Sequence, residues 1–272
     1  MSDSLLAAPA PSGPDLADAP ATVASPEDYP WLGPAVRSAL LLDEGIVELD
    51  PSGGVEAPSE QLEEALIDTS AIDQALAAEG VAPLAERTLV VAVGSNQTPQ
   101  TIARKYHRSG RRIPVTTPFV RCTVHNLAVG HVAHTAAPGY VPAAPYRADG
   151  ERMELVATWF DDEQLEVVDA TEPNYDRVRL STDDFPLTLA TGVRPAHFDV
   201  YASLWGVIAR EQQPIPLRHR QQEMFDELVG LTGSSLTHGD AAGVCAALAA
   251  SPAALHELVT AHDLIVADGL PR

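Results

Sequence analysis

Apolar and polar positions change their period most clearly between residues 88 and 106. Residues 88–93 form a run of β-branched and apolar side chains, which predicts a strand. Gly94, Ser95 and Asn96 interrupt that run, and Thr98-Pro99 is typical of a helix N-cap followed by a first-turn proline. The pattern predicts a strand, a tight polar loop and a helix start, and such a loop leaves N–H groups free to hold an anionic group.

Along the rest of the chain, segments with the alternating apolar pattern of strands and segments with the apolar spacing of helices follow one another. Apolar runs predict a strand or hairpin at 38–50 with a turn at Glu44-Gly45, and strands at 113–115, 119–132, 153–160, 177–180 and 199–207. Helical spacing predicts helices at 59–67, 70–78, 98–107, 218–231, 241–250 and 252–264. Residues 138–146 are proline-rich, which indicates an extended rim segment, and Asp149-Gly150 predicts a turn.

One further helix is predicted inside the β-rich region. Asp161 or Asp162 caps it, Leu165 and Val168 lie on its buried side, and it ends near Pro173. Helices otherwise cluster at the C-terminus, so the order of elements predicts an α+β fold with a curved sheet or small barrel.

Composition divides the chain further. Residues 1–85 carry 16 acidic residues and one basic residue, Arg37, which accounts for −15 of the net charge of −21. We expect a disordered acidic tail at 1–34, because few of its side chains are large and apolar. An acidic, partly ordered extension at 35–86 is expected to precede a domain at 87–231 and a helical segment at 232–272.

The overall charge argues against nucleic acid or an anionic membrane as partner, since both select positive surfaces. The basic run at 104–112 is typical of a solvated helix end, or else contacts an anionic substrate or tail. Cys122 and Cys245 offer neither a disulfide framework nor metal spacing. The first residues lack a signal-peptide pattern and no apolar window reaches spanning length, so we expect a soluble, cytoplasmic protein.

Glu172 departs from the usual distribution of charge on a helix. It lies at the predicted C-terminal end, where the dipole disfavours a carboxylate, and Asp169 lies one turn earlier. The helix dipole and Asp169 both disfavour the charged form of the Glu172 carboxyl group. A carboxyl group in such surroundings suits the role of a general base. A solvated surface glutamate is the alternative.

Three stretches in this order resemble the gamma-glutamylcyclotransferase family. Residues 93–96 (Val-Gly-Ser-Asn) are similar to its Tyr-Gly-Ser-Asn-Leu loop, and residues 139–144 are similar to its Gly-x-x-Pro-Ala region. Residues 168–172 with Tyr175 and Arg177 resemble its Leu-Asp-x-x-Glu and Tyr-x-Arg elements. The resemblance covers residues 89–231. Val93 stands where that family has tyrosine, Gln97 where it has leucine, and Pro173 where many relatives have glycine.

The resemblance implies a small mixed β-barrel with flanking helices that releases 5-oxoproline and a free amine from a gamma-glutamyl amide without metal or cofactor. Glu172 would be the acid/base in this intramolecular aminolysis. The loop would hold the small-molecule substrate. Substrate-binding residues are then expected at Val93, Gly94, Ser95, Asn96, Gln97, Tyr140, Tyr175 and Arg177.

Several of these residues could instead have an ordinary structural role. Tyr140, Tyr146 and Tyr175 can form the pocket wall or simply pack. Arg177 can pair with Glu172 or with substrate, or form a salt bridge on a strand face. A metal site at His125, His131 and His134 requires a bulge at Gly130.

Two other readings of the whole chain stay open. Ser95 as a hydrolase nucleophile lacks the second glycine of a nucleophile elbow. A non-catalytic binding module, which keeps the barrel and loop and uses the acidic tail and C-terminal helices for partner contacts, is the rival class. The sequence leaves the leaving amine and the oligomeric state open.

Overall fold

The computed structural model describes residues 25–31, 38–49 and 67–272. An eight-stranded mixed sheet is its centre, built from β1 (Ala39–Leu42), β2 (Gly45–Glu48), β3 (Thr88–Ala92), β4 (Thr117–His131), β5 (Ala143–Phe160), β6 (Tyr175–Ser181), β7 (Leu187–Leu189) and β8 (His197–Ser203). The strand order is β2-β1-β4-β5-β3-β8-β6, and β7 pairs with β4. Only the β3–β8 pair is parallel among the pairings of this sheet in the described part of the chain.

A smaller sheet and the helices cover this centre. The second sheet has the order β10-β9-β11 and consists of β9 (Val207–Arg210), β10 (Gln213–Pro214) and β11 (Ile265–Val266). The helices are α1 (Thr69–Ala78), α2 (Pro99–Ser109), α3 (Asp162–Ala170), α4 (Gln221–Thr232), α5 (Ala241–Ala250) and α6 (Ala254–Ala261). The predicted α+β class is confirmed. The pairings of the described strands form a path, so closure into a barrel stays a prediction.

The central strand, loop and helix form as predicted. β3 ends at Ala92, residues Gly94–Gln97 form a short 3-10 turn, and α2 begins at Pro99 after Thr98. Gly94 has φ +56°, which favours glycine, and Gly110 ends α2 at φ +67°. The loop therefore leaves the middle of the sheet, because β3 lies between β5 and β8.

The predicted turn at Asp149-Gly150 is a bulge instead. β5 continues through it, and its pairing with β4 shifts between His125 and Leu127. Asn126 at φ +61° accepts the Gly150 N–H through its side-chain oxygen at 2.9 Å. The glycine conformation was predictable locally, whereas the continued pairing depends on β4. The proline-rich segment also enters β5 from Ala143 onward, while its first part stays extended.

Other boundaries differ in smaller ways. Residues 113–115 form no strand, and the strand predicted at 199–207 is divided by Gly206, at φ +72°, into β8 and β9. Asp68 caps α1 by accepting from the Ser70 N–H. Asp161 caps α3 in a capping box with Gln164, as predicted for one of the two aspartates. β7, β10 and β11 were not predicted.

The N-terminal extension contributes to the fold in two described pieces. The β1–β2 hairpin is confirmed and pairs with β4. Residues 25–31, inside the predicted tail, differ from that prediction, since Pro26–Asp28 is a 3-10 turn packed on α4 and α5. The helix predicted at 59–67 lies outside the described residues except for Ile67, which is buried.

The C-terminal helices hold the rim segment before β5. The Gln221 side chain on α4 accepts from the Val141 N–H at 2.6 Å and donates to the Val141 C=O at 3.2 Å, as a neighbouring strand would. A Cβ on Gly139 would lie 1.8 Å from the Cys245 carbonyl oxygen on α5. The segment therefore sits directly on these helices, and only glycine permits that approach.

A buried polar cluster joins the start of β3 to the start of α3. Arg87 donates to the carbonyl oxygens of Ala82, Thr116 and Trp159 and to the side chain of Gln164. Gln164 in turn donates to the backbone of the segment that enters β4. Since buried polar groups require partners, this cluster fixes where α3 starts relative to the sheet.

No single helix among residues 25–31, 38–49 and 67–272 is both long and apolar enough to cross a membrane. By length and composition alone, α5 and α6 taken together could span a membrane, but the two helices are bent by 101° at the break between them.

Candidate functional site

A cavity of about 460 Å³ opens between the loop after β3 and the turn after α3. Its wall combines loop residues, one face of α2, the rim segment and the end of α3. The principal lining side chains are Tyr29, Trp31, Val93, Ser95, Asn96, Arg104, Lys105, Arg108, His134, Tyr140, Glu172, Tyr175 and Tyr201. The cavity thus places one carboxylate against cations on one side and aromatic rings on the other.

Glu172 lies in a tight turn between α3 and β6. The Glu172 N–H donates to the Asp169 carbonyl, and the Tyr175 N–H donates to the Glu172 carbonyl at 3.0 Å, which closes a four-residue turn. Pro173 occupies the second position of that turn, where proline is favoured. Proline at this position is therefore compatible with a carboxylate facing the cavity.

The two oxygens of Glu172 have different surroundings. Oε1 accepts from the Asn96 side-chain amide at 2.9 Å and from Lys105 Nζ at 2.5 Å. Oε2 has no hydrogen bond to any of the described residues. The Glu172 side chain is 14% exposed. One oxygen is thus anchored to the loop and to α2, while the other is available to a ligand.

Cations from α2 line the cavity beside Glu172. Arg108 lies four residues after Arg104 and three after Lys105, so the three side chains share one side of the helix. Arg104 donates to Thr101 Oγ1 at 3.0 Å, and Lys105 binds Glu172. The basic run is therefore partly a cavity wall, in line with the second of the two readings of the sequence.

The aromatic wall comes largely from outside the predicted site. Tyr29 stacks on Tyr140 with ring centroids 4.3 Å apart, and Trp31 meets both rings edge-on at 5.0 Å. Tyr29 Oη accepts the Ala143 N–H at 2.8 Å, and the Tyr175 hydroxyl donates to the Ala143 carbonyl at 3.0 Å. One residue, Ala143, therefore holds two phenols in place.

Burial governs the ionisation of these phenols. Burial, with the nearby Glu172 charge as a smaller cause, raises the pKa of Tyr140 to about 12. It also raises the pKa of Tyr29 and Tyr175 well above the usual value, with Tyr140 and Tyr29 respectively adding to the shift. All three hydroxyls keep their protons at neutral pH and can serve as hydrogen-bond donors.

The predicted site residues separate into two groups. Glu172, Val93, Ser95, Asn96, Tyr140 and Tyr175 line the cavity together. Gly94 and Gln97 are buried in the loop, and Gln97 donates to the Gly94 carbonyl at 3.4 Å. Tyr146 packs beside Gly130 and is not among the cavity residues.

Arg177 takes the alternative role of a salt bridge on a strand face. It donates to Asp169 at 3.0 Å and to Asp199 at 2.6 Å, whereas Lys105 pairs with Glu172. Asp169 also accepts from the Tyr201 hydroxyl at 2.7 Å. The expected repulsion between Asp169 and Glu172 is therefore offset, because each carboxylate has its own cation.

The three histidines do not gather at one point. His125 is exposed, and buried His131 accepts the Arg218 N–H at its Nε2 at 2.9 Å. His134 lines the cavity and packs edge-on against Tyr175. Among the described residues no group of three or more His, Cys, Asp or Glu side chains could hold a metal ion.

Sequence reasoning missed Tyr29 and Trp31, and it did not anticipate that Lys105, within the basic run at 104–112, pairs with Glu172. Tyr29 and Trp31 are the large aromatic residues of an otherwise small and acidic N-terminal stretch, which was the available signal. Lys105 follows Arg104 on the α2 face that begins with Thr101, and a helical wheel from the loop onward would have placed it at the site.

Comparison with known proteins gives only distant similarity. No family model matches the chain, and no curated protein matches it. A solved structure titled gamma-glutamyl cyclotransferase is 11% identical with a TM-score of 0.36, over 69% of this chain and 92% of that one. An uncharacterized Homo sapiens protein is 13% identical with a TM-score of 0.34, over the same shares of 69% and 92%.

A solution structure from Arabidopsis thaliana is 17% identical with a TM-score of 0.32 and covers 43% of this chain. The match spans 62% of the length of that plant protein, which is less than two thirds. Function therefore has to be argued from the site itself.

Proposed function

We propose that the protein is a gamma-glutamylcyclotransferase-like enzyme that releases 5-oxoproline and a free amine from a gamma-glutamyl amide or peptide. The observation that carries this proposal is the asymmetry of Glu172. Its Oε1 is held by Asn96 and Lys105, and its Oε2 is free beside a cavity of about 460 Å³. A positioned carboxylate with one unoccupied oxygen suits proton transfer to and from a bound amine.

The reaction needs one substrate and no second reactant. Glu172 takes a proton from the α-ammonium, and the free amine attacks the γ-carbonyl carbon to form the ring C–N bond. The bond to the leaving amine then breaks as the carboxyl group returns its proton to that amine. The ring nitrogen loses a second proton, which the departing amine takes up, so the amine leaves as an ammonium ion. Because nucleophile and electrophile belong to the same molecule, the site mainly has to fold the substrate into the attacking geometry.

The walls of the cavity fit the charges of such a substrate. The substrate carries an α-carboxylate, which the backbone N–H groups of Gly94, Ser95 and Asn96 and the cations of α2 can hold. The ammonium then lies nearest the carboxylate of Glu172. Val93 gives the loop an apolar side chain instead of a phenol, so the aromatic contacts of the substrate come from Tyr140 and Tyr175.

The experiment is to measure 5-oxoproline release from a panel of gamma-glutamyl amines and dipeptides. The purified protein is compared with Glu172→Gln, and Glu166→Gln is the matched control because Glu166 is an exposed carboxylate on α3, the helix that precedes Glu172. We expect release by the parent and the control and none by Glu172→Gln. Equal release by all three proteins would remove Glu172 from the reaction.

A non-catalytic binding module is the second candidate, favoured by the direct ion pair between Lys105 and Glu172 at 2.5 Å. In that case the carboxylate anchors α2 to α3 and does not move protons. Absence of release by the parent across the panel, together with calorimetric binding of the same compounds, would favour this module.

A further inference from the structure

The segment 25–31 closes one side of the cavity although it lies within the predicted acidic tail at 1–34. Tyr29 is 3% exposed and lies between Tyr140 and Trp31 in the aromatic wall. Trp31 closes the segment on itself by donating from Nε1 to the Ser25 carbonyl at 2.9 Å. The 3-10 turn Pro26–Asp28 packs on α4 and α5, so the segment has a defined seat on the folded body.

The Tyr29 hydroxyl touches the loop. A Cβ added to Gly94 would lie 2.4 Å from Tyr29 Oη, which is closer than such atoms approach in proteins. Glycine at 94 therefore does two things: it permits φ +56°, and it leaves room for the phenol. The loop has no phenol of its own, because Val93 precedes Gly94.

The hydroxyl proton of Tyr29 is available to a ligand. Its oxygen accepts the Ala143 N–H at 2.8 Å, and none of the described residues accepts its proton. Tyr175, by contrast, already donates to the Ala143 carbonyl. Since a buried donor without an acceptor is costly, a ligand oxygen at this position would complete the hydrogen bonding of the site.

We propose that Tyr29 is a substrate-binding residue whose hydroxyl donates to a ligand carboxylate held at Gly94–Asn96, so that the docked segment 25–31 is part of the site. The identity of the ligand as a gamma-glutamyl compound rests on the proposed function. The hydrogen bond itself requires only a carboxylate at the loop. Segment 25–31 is thus a component of the pocket and not an appendage to the domain at 87–231.

The test uses full-length protein and two probes. Tyr29→Phe keeps the stacked ring and removes the hydroxyl, and Tyr146→Phe is the matched control away from the cavity. In a Glu172→Gln background, which prevents turnover, calorimetry measures the Kd of gamma-glutamyl-alanine and of glutarate, a dicarboxylate that cannot cyclise. We expect Tyr29→Phe to weaken binding of both probes by about 10- to 100-fold, and Tyr146→Phe to leave both unchanged.

The outcomes separate this inference from the proposed function. Weaker glutarate binding in Tyr29→Phe, with no 5-oxoproline released by the protein carrying Glu172, would support Tyr29 and overturn the enzyme. Release of 5-oxoproline with equal Kd values for the two tyrosine variants would overturn Tyr29 and keep the enzyme. Failure of both probes to bind before either tyrosine is changed would overturn the carboxylate site and Tyr29 with it.

Discussion

Glu172 and Asp199 are both acidic side chains held by cations, but they differ in what is left unpaired. Asp199 accepts from Arg177 at 2.6 Å and from Arg179 at 2.9 Å, so each of its oxygens has a partner, and its side chain is 3% exposed. Glu172 shares one oxygen between Lys105 and Asn96 and leaves the other open to a cavity.

The difference separates a structural role from a chemical one. A carboxylate with two arginines can accept little further from a ligand without losing a partner of its own. A carboxylate with one anchored oxygen can be positioned and still react. Arg177 was expected at the site because of its place in the sequence pattern, and its two aspartates assign it to the structural cluster instead.

The largest expected effect concerns Glu172, the carboxylate with one oxygen open to the cavity. Replacement of Glu172 by glutamine should lower the kcat for 5-oxoproline release by about 10²- to 10⁴-fold, because the proton acceptor is lost. The amide keeps an oxygen for Asn96 and Lys105, so thermal unfolding should change little. A large fall in unfolding temperature together with the loss of activity would mean that Glu172 is structural like Asp199.

Asp199, the carboxylate with a partner on each oxygen, should show the opposite result, which is lost stability with retained activity. Asp199→Ala removes the shared partner of Arg177, which keeps Asp169, and of the largely exposed Arg179. Because hydrogen bonds to a charged group are lost, we expect a loss of about 2 kcal/mol in the free energy of unfolding by urea. Activity per folded molecule should be retained, because Asp199 is absent from the lining of the cavity. Loss of kcat at full stability in Asp199→Ala would contradict the division between the two clusters.

Sequence could predict the parts of this site that depend on local chemistry. The β-branched run, Gly94 and Thr98-Pro99 each act within a few residues, and β3, the loop and α2 form as expected. Glu172 stood out because a carboxylate at a helix C-terminus breaks a local rule of charge. These signals need no knowledge of the fold.

The partners of Glu172 and of the loop could not be predicted in the same way. Lys105 is 67 residues from Glu172, and Tyr29 is 114 residues from the Ala143 N–H that it accepts. Such pairs arise from sheet order and helix packing, which a periodic pattern leaves undetermined. Asp149-Gly150 illustrates the same limit, because its left-handed glycine was expected while the bulge depends on Asn126 of another strand.

Two buried histidines, His131 and the cavity residue His134, offer a test by pH. Burial lowers the pKa of His131 and of His134 from the usual 6.5 to about 4. Between pH 6.5 and 4 the unfolded chain binds protons that the folded protein does not, so stability is present above pH 6.5 and falls as the pH is lowered. From pH 7 to pH 5 each histidine should cost about 2 kcal/mol.

Urea unfolding of His131→Gln and His134→Gln should therefore show a shallower loss of stability over this pH interval. His125→Gln is the control, since His125 lies exposed on the same strand as His131. A slope in either buried variant equal to that of the control would show that the histidine titrates alike in both states.

The smallest expected effect tests the cations of α2 that line the cavity. Arg108 is an exposed cavity residue, so Arg108→Gln should raise the KM for a gamma-glutamyl dipeptide by about 2- to 5-fold at low salt. At 1 M salt, where charges are screened beyond about 3 Å, the two proteins should converge. Arg111→Gln is the matched control, because Arg111 pairs with Glu166 on the surface. The stability loss of Asp199→Ala should persist at the same salt concentration, since the Asp199 carboxylate is buried. If the effects of Arg108→Gln and Asp199→Ala depended on salt in the same way, the cavity cations would stabilise the fold, as Arg177 and Arg179 do, and would not bind the ligand.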